Sequence, residues 1–304
     1  MANNRILLLG GNGQIGQALR QAALPDHWHL GVFTRAECDF MKPGDIARAI
    51  RGFEPELVIN AAAMTDIDAC QRDPLRAIEI NFHAVANIAA QCDTLSAPLI
   101  HLSTDYVFDG QRGQEGGNHP YKTTDAMNPV NKYGETKMMG EEAVRHGLHW
   151  HVILRTSLVF SSLGDNILTK TLRQIETQEV VEAVSDQTAN PTSAAAVAEA
   201  VIAIGHAILQ GKGNGFGTFH VSGDGPATRY EFLQAVMEAH APFTEHRPRL
   251  DAVFAKDVPN RVPRPPYSVL DNTRLQEVYG LAPRSWRADL QQAVQQYAEG
   301  QRQS

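Results

Sequence analysis

The sequence has only three cysteines, Cys38, Cys70 and Cys92, an odd number with no metal-ligand spacing. That excludes a disulfide framework and argues for reduced thiols in a cytoplasmic protein. It lacks any apolar run near the roughly 20 residues needed to span a bilayer. The stretch Met1–Arg5 lacks the apolar core and small-residue cleavage site of a signal peptide, so no membrane partner is expected. An excess of positive charge is missing too. With 27 Lys and Arg against 34 Asp and Glu, the formal net charge is -7, which argues against a nucleic-acid surface. No internal repeat is present. What remains is 304 residues that are 43% apolar and 20% charged, a soluble globular chain with room for one large domain or two unequal ones.

Short apolar runs alternate with helix-like stretches over the first two-thirds. Ile6–Leu9, Leu57–Ile59, Leu99–Leu102 and Val152–Leu154 have the length of strands buried on both faces. Gln14–Ala22, Ala69–Cys92 and Tyr133–Arg145 read as helices between them, and Ser193–Leu209 as an alanine-rich helix bracketed by Val180–Val184 and Phe219–Val221. This alternation predicts an α/β fold, a Rossmann-type doubly wound parallel sheet with helices on both faces. Pro242–Pro266 is rich in Pro and Arg, and proline forbids long helices there. The expected division is a dinucleotide-binding domain over 1–158 and 190–222, and a smaller, irregular substrate-binding domain over 159–189 and 223–304. The glycine-rich loop 110–118 and the polar tail 299–304 are expected at the surface.

Gly10-Gly11-Asn12-Gly13-Gln14-Ile15-Gly16 follows the first apolar run and opens a helical pattern. Glycines at 10, 13 and 16 allow a tight turn, close approach of backbone to a pyrophosphate, and close packing of helix on strand. The amides of the new helix then face the anion. Near the second strand, His29–Phe33, an acid would accept from a ribose 2′-hydroxyl, whereas a basic residue accommodates a 2′-phosphate. Here the chain reads Phe33-Thr34-Arg35 with no acid before Glu37, so Arg35 favours NADPH, with NADH left open.

Tyr133 and Lys137 form Y-x-x-x-K, and positions four apart share one face of a helix. A free tyrosine titrates near ~10, too high for proton shuttling at neutral pH. A nearby ammonium or a cationic nicotinamide ring favours the phenolate and brings it into range. Leu102-Ser103-Thr104-Asp105-Tyr106 places hydroxyls at the carboxyl end of a buried strand, where open α/β sheets bind ligands. Thr104 or Ser103 is positioned to hold a carbonyl oxygen near Tyr133. Tyr106, Val107 and Phe108 read as core.

Taken together, Gly10–Gly16, Asn60–Ala63, Ser103–Asp105 and Tyr133–Lys137 resemble the extended short-chain dehydrogenase/reductases. Longer strings are similar to the dTDP-4-dehydrorhamnose reductase family: Ser103–Gly110, Tyr133–Lys137, Arg155-Thr156-Ser157, Asp186-Gln187 with Pro191-Thr192, and Arg264-Pro265 leading to Ser268–Asp271. The resemblance implies reduction of the C4 ketone of a nucleotide-linked 6-deoxy sugar, giving dTDP-L-rhamnose, with Tyr133 as proton donor. It implies that Lys137 lowers the phenol's pKa and holds the ribose, that Thr104 binds the reacting oxygen, and that Asp105 touches the sugar. Gln14, Ile15 and Gly16 would meet the pyrophosphate, Asp39 and Phe40 the adenine end, and Ala61, Ala62 and Ala63 the middle of the cofactor. Leu158 stands where the family has a tryptophan packed against the sugar, so it gives an apolar wall without an aromatic face. Some members carry Mg2+ at a dimer interface. No residues here place such an ion, and a homodimer stays open.

At several positions structural and functional readings compete. Asn60 caps a strand or contacts a ligand, and Asn81 organises a water near Lys137 or lies on a helix surface. His149 and His151, like Asp66 and Asp68, do not amount to a metal site. Two other functions share these motifs: a nucleotide-sugar epimerase or dehydratase with retained NAD, and an NADP-binding regulatory subunit resembling that of methionine adenosyltransferase.

Overall fold

The computed structural model describes residues 4–113, 119–211 and 215–302. Six strands form the central sheet: β1 (Asn4–Leu9), β2 (Trp28–Phe33), β3 (Leu57–Asn60), β4 (Leu99–Thr104), β5 (His151–Thr156) and β6 (Gly217–His220). All are parallel, in spatial order β2-β1-β3-β4-β5-β6. Their apolar runs are continuous because helices cover both faces. Ile6 and Leu8 face one core with α1 (Gln14–Gln21) and α6 (Ala194–Leu209). Leu7 and Leu9 face the other, with α2 (Pro43–Phe53), α3 (Ala84–Leu95) and α4 (Lys132–Gly147). The chain leaves β1 for an edge and returns to its other side at β3, so a crevice opens at the carboxyl ends of β1 and β3.

A third core lies outside the sheet. Phe160, α5 (Ile167–Thr177), Val181, α7 (Arg229–His240) and α8 (Trp286–Arg302) pack around Phe232 and Trp286. Capping boxes start two of these helices, at Asn166 with Thr169 and at Thr228 with Glu231. Val180–Val184 pairs in parallel with Arg249–Val253, so the Pro- and Arg-rich stretch contains a strand that its composition hid. Proline's exclusion of long helix holds there, since only three-residue turns of helix flank that strand.

Ala69–Cys92, expected as one helix, is divided. Asp73 precedes a proline and leaves the helical region (φ -129°, ψ 74°), capping Pro74–Ile78 through its carboxylate. A single π turn, Glu79–His83, then leads into α3. Such turns insert a residue and re-aim side chains, and here Asn81 is buried beside α4. Loop residues 114–118 and tail residues 303–304, expected at the surface, lie outside the described residues. No described helix is long and apolar enough to cross a membrane. The three cysteines are buried free thiols, and burial pushes all three pKa values up, to about 11 for Cys38 and Cys70 and about 12 for Cys92.

Candidate active site

The turn after β1 requires glycine at two points. Gly10 has φ +87°, and a Cβ there would lie 2.6 Å from the Ala62 amide nitrogen; at Gly16 it would lie 2.2 Å from the Gly10 carbonyl oxygen. Those contacts press the loop onto the start of α1 and onto Ala61-Ala62. Gly13 differs. It is the N-cap of α1, no side chain caps it, and the protein atom nearest to an added Cβ would be 3.5 Å away. The first amides of α1 are therefore left to a ligand or to water. Asn12, Gly13, Gln14, Ile15, Ala61, Ala62 and Ala63 all line one cleft of about 470 Å³. An uncapped helix start beside open space fits a dinucleotide pyrophosphate.

The same cleft contains Thr104, Asp105, Tyr133, Lys137 and Leu158. Thr104 ends β4, while Asn131 caps α4 by accepting from the Gly134 amide at 2.9 Å and so sets where Tyr133 and Lys137 emerge. Burial, with Asp105 adding to it, pushes the phenol's pKa up and outweighs a hydrogen bond between Thr104 and Tyr133 that favours the phenolate. The Lys137 ammonium donates to the Leu102 carbonyl at 2.7 Å and lies 3.4 Å from His101 Nε2. Burial brings Lys137 itself down to about 8.

Asp105 is buried, and both its oxygens are engaged. Thr104 donates to one at 3.1 Å, and Ser157 and Ser268 donate to the other at 2.7 and 2.5 Å. Burial outweighs these bonds, and its pKa is raised. Its visible work is to tie the end of β4 to Ser157 and Ser268. Ser103, the alternative to Thr104, donates instead to Glu141 at 2.5 Å, which leaves Thr104 as the hydroxyl facing Tyr133. Leu158 has φ +38°, a strained conformation for a leucine, and Thr156, which lines the same cleft, has a buried hydroxyl without a partner.

Some expected residues are not brought to this cleft. Arg35 is exposed, with its Nε 3.9 Å from Asp39, and Phe40 is buried under α2 in the second core. Glu37 turns back to accept from the Thr34 amide at 2.8 Å and from its hydroxyl, so no acid projects from the end of β2. Asn60 resolves to a structural role: it accepts from the Ala62 amide at 3.1 Å and donates to His101. Asn81 is neither on a surface nor turned to Lys137, since its amide spans Met64 and Thr136. Val107 and Phe108 are core as expected, whereas Tyr106 lines the cleft, its ring centroid 5.7 Å from that of Tyr133. Asp66 caps a helix, and no group of three or more candidate metal ligands occurs among the described residues.

The sequence profile of the RmlD substrate binding domain matches residues 4–299. This chain belongs to that family. A family relative from Sinorhizobium fredii, named dTDP-4-dehydrorhamnose reductase, is 33% identical over 291 residues, 95% of this chain and 96% of that protein. One of the same name from Escherichia coli is 33% identical over 298 residues, covering 95% and 96%. The structure titled dTDP-4-dehydrorhamnose reductase from Bacillus anthracis in complex with NADP superposes with TM-score 0.87 at 25% identity, covering 97% of this chain and all of that one.

Two features of this RmlD-family site escaped the sequence reading. Glu141 and Arg155 form a buried ion pair, with Arg155 Nε and Nη2 donating to the two carboxylate oxygens at 2.9 and 2.7 Å. Arg145 adds a bond at 2.5 Å. Burial opposes the charge on Glu141, but Arg155, Arg145 and Ser103 outweigh it and hold its pKa below the usual range. Only the periodicity of α4 hinted at this, since Glu141 lies one turn after Lys137. The second is an arginine group. Half-buried Arg229 lines the cleft with Tyr106, and Arg261 and Arg264 line its continuation past Thr65. Arg261 donates to Gln187 at 2.6 Å, and Arg264 lies 3.7 Å from Asp68. The Nε atoms of Arg261 and Arg264 are buried without a partner. Burial and then the other two cations hold Arg261 down to about 10.

Proposed function

We propose that this protein reduces the C4 ketone of dTDP-4-dehydrorhamnose with NADPH. The observation that carries the reading is the meeting of Tyr133, Lys137 and Thr104 at the carboxyl end of β4, in the cleft that also holds the uncapped start of α1. NADPH, when bound, supplies the hydride. Asn12 to Ile15 and Ala61 to Ala63 hold its phosphates and middle, and Arg35 with Asp39, beyond the cleft, meets its adenine end.

Thr104 orients the carbonyl oxygen, and Tyr133 gives that oxygen its proton. Because burial and Asp105 raise the phenol's pKa, the proton is on Tyr133 when the ketone arrives. Leu158 walls the sugar. Arg229 and Arg264 bind the substrate diphosphate: Arg229 lines the cleft, the Nε of Arg264 in its continuation is buried without a partner, and guanidinium donors suit a dianion better than a neutral sugar. The division into a dinucleotide-binding part (1–158, 190–222) and a substrate-binding part (159–189, 223–304) is supported by the separate core around Phe232 and Trp286.

The test is NADPH oxidation against a panel of nucleotide-linked 4-keto-6-deoxy sugars. Turnover of the dTDP-linked substrate, stoichiometric in NADPH, is expected. Protein that arrives with tightly held NAD and inverts a sugar centre without net NADPH consumption would favour an epimerase instead.

A further inference from the structure

His101 lies at the middle of the sheet, fully buried on β4, and the proton-transfer scheme above does not use it. Its two ring nitrogens face defined partners. Nδ1 lies 3.1 Å from the side-chain nitrogen of Asn60, and Nε2 lies 3.4 Å from Lys137 Nζ. The orientation of Asn60 is set from the other side, because its oxygen accepts from the Ala62 amide at 3.1 Å. Asn60 therefore donates to His101, and Nδ1 must be the bare, accepting nitrogen. Burial, then the charge of Lys137 and His151, pushes the pKa of His101 well below the usual range, so the ring is neutral with one N–H. That proton has one place left. It sits on Nε2, directed at Lys137, where an ammonium offers only donors.

We infer that His101 is a positioning residue whose Nε2–H, set by the Ala62–Asn60 hydrogen bond, faces the Lys137 ammonium donor to donor and makes it ready to release a proton. A neutral Lys137 amine relieves the conflict by accepting from Nε2. The Leu102 carbonyl, at 2.7 Å, holds the nitrogen in place for either state. Glu141, one turn along α4, acts the other way by favouring the ammonium, and Tyr133 is the remaining titratable neighbour on that helix. His151, on β5, adds to the charge that opposes protonation of His101. A lysine so poised gives up a proton within the cleft that it shares with Tyr133. The inference rests on the reading of Tyr133 and Lys137 as the reactive pair, but its test needs neither substrate nor turnover.

The test is NMR of the full-length protein, with ¹³Cε-labelled lysine assigned through Lys137→Arg and ¹⁵N-labelled histidine assigned through His101→Gln. In the wild-type protein, His101 is expected as the Nε2–H tautomer, and the Nδ1–H tautomer would overturn the inference. His101→Leu keeps the site dry but removes the N–H, and is expected to raise the Lys137 midpoint by about one pH unit. His101→Gln places an amide N–H where Nε2 was, and is expected to leave the midpoint within about 0.3 unit of wild type. An unchanged or lowered midpoint in His101→Leu would overturn the proposal, as would a Gln variant that behaves like Leu. Should His101→Leu fail to fold, the wild-type tautomer decides alone.

Discussion

Replacing Arg155 with methionine keeps an unbranched stem of similar bulk and removes the charged guanidinium. Glu141 is then left fully buried, having lost two hydrogen bonds at 2.7 and 2.9 Å and keeping Arg145 and Ser103. Breaking a buried pair from one side costs about 3–5 kcal/mol, since the remaining carboxylate is desolvated without its main counter-charge. Against a typical stability of about 5–15 kcal/mol, the variant should fold with its melting temperature lowered on the order of 10 °C. The loss also depends on pH. Wild-type Glu141 has a depressed folded pKa, so its contribution is present above the unfolded value and is lost as pH falls through the folded one. Without Arg155 its folded pKa rises above the unfolded value, and the variant gains stability on acidification as Glu141 takes up a proton. Urea denaturation from pH 8 down to pH 5 should therefore show the gap between Arg155→Met and wild type narrowing. Glu141→Leu/Arg155→Met, which removes both charges, should cost less than Arg155→Met alone. A single variant within about 1 kcal/mol of wild type at pH 8, or a double variant worse than the single, would refute the reasoning.

Three further outcomes are expected. Gly13→Ala should leave the melting temperature of the protein alone nearly unchanged but weaken NADPH binding by about tenfold or more in a fluorescence titration, whereas Gly16→Ala, which meets backbone 2.2 Å away, should lower the melting temperature itself. Arg229→Met should raise the KM for a dTDP-linked substrate about 10- to 100-fold, the worth of one or two charge-assisted hydrogen bonds, with NADPH affinity unchanged in the same titration. Asp105→Asn should keep the cleft's shape but leave an amide donor facing the hydroxyls of Ser157 and Ser268. A loss of about 1–3 kcal/mol in urea denaturation is expected, together with a fall in kcat as Thr104 loosens.

The central sheet was legible because its strands are short apolar runs buried on both faces, and Ile6–Leu9 or Leu99–Leu102 can be little else in a chain of this period. Y-x-x-x-K was legible because helix geometry alone places both residues on one side. What the sequence hid depends on contacts far apart in the chain. Ala69–Cys92 looked continuous until Asp73 was forced out of helix by Pro74, and the π turn at Asn81 has no composition of its own. Arg249–Val253 contains alternating charge and is a strand only because Val180–Val184 offers it an edge. Arg229 starts α7 whereas Arg261 and Arg264 lie in the Pro-rich segment, and only the packing of the two brings all three together. The direction of the Lys137 ammonium was equally hidden, because spacing places a side chain on a face without saying which carbonyl it will reach.

The most direct test of the account is single-turnover reduction of dTDP-4-dehydrorhamnose by the protein and by Tyr133→Phe, following NADPH absorbance. The account predicts rapid oxidation of one NADPH per sugar by the wild-type protein. It also predicts a loss of about 100-fold or more in the phenylalanine variant, with NADPH binding intact. Equal rates in the two proteins would contradict it.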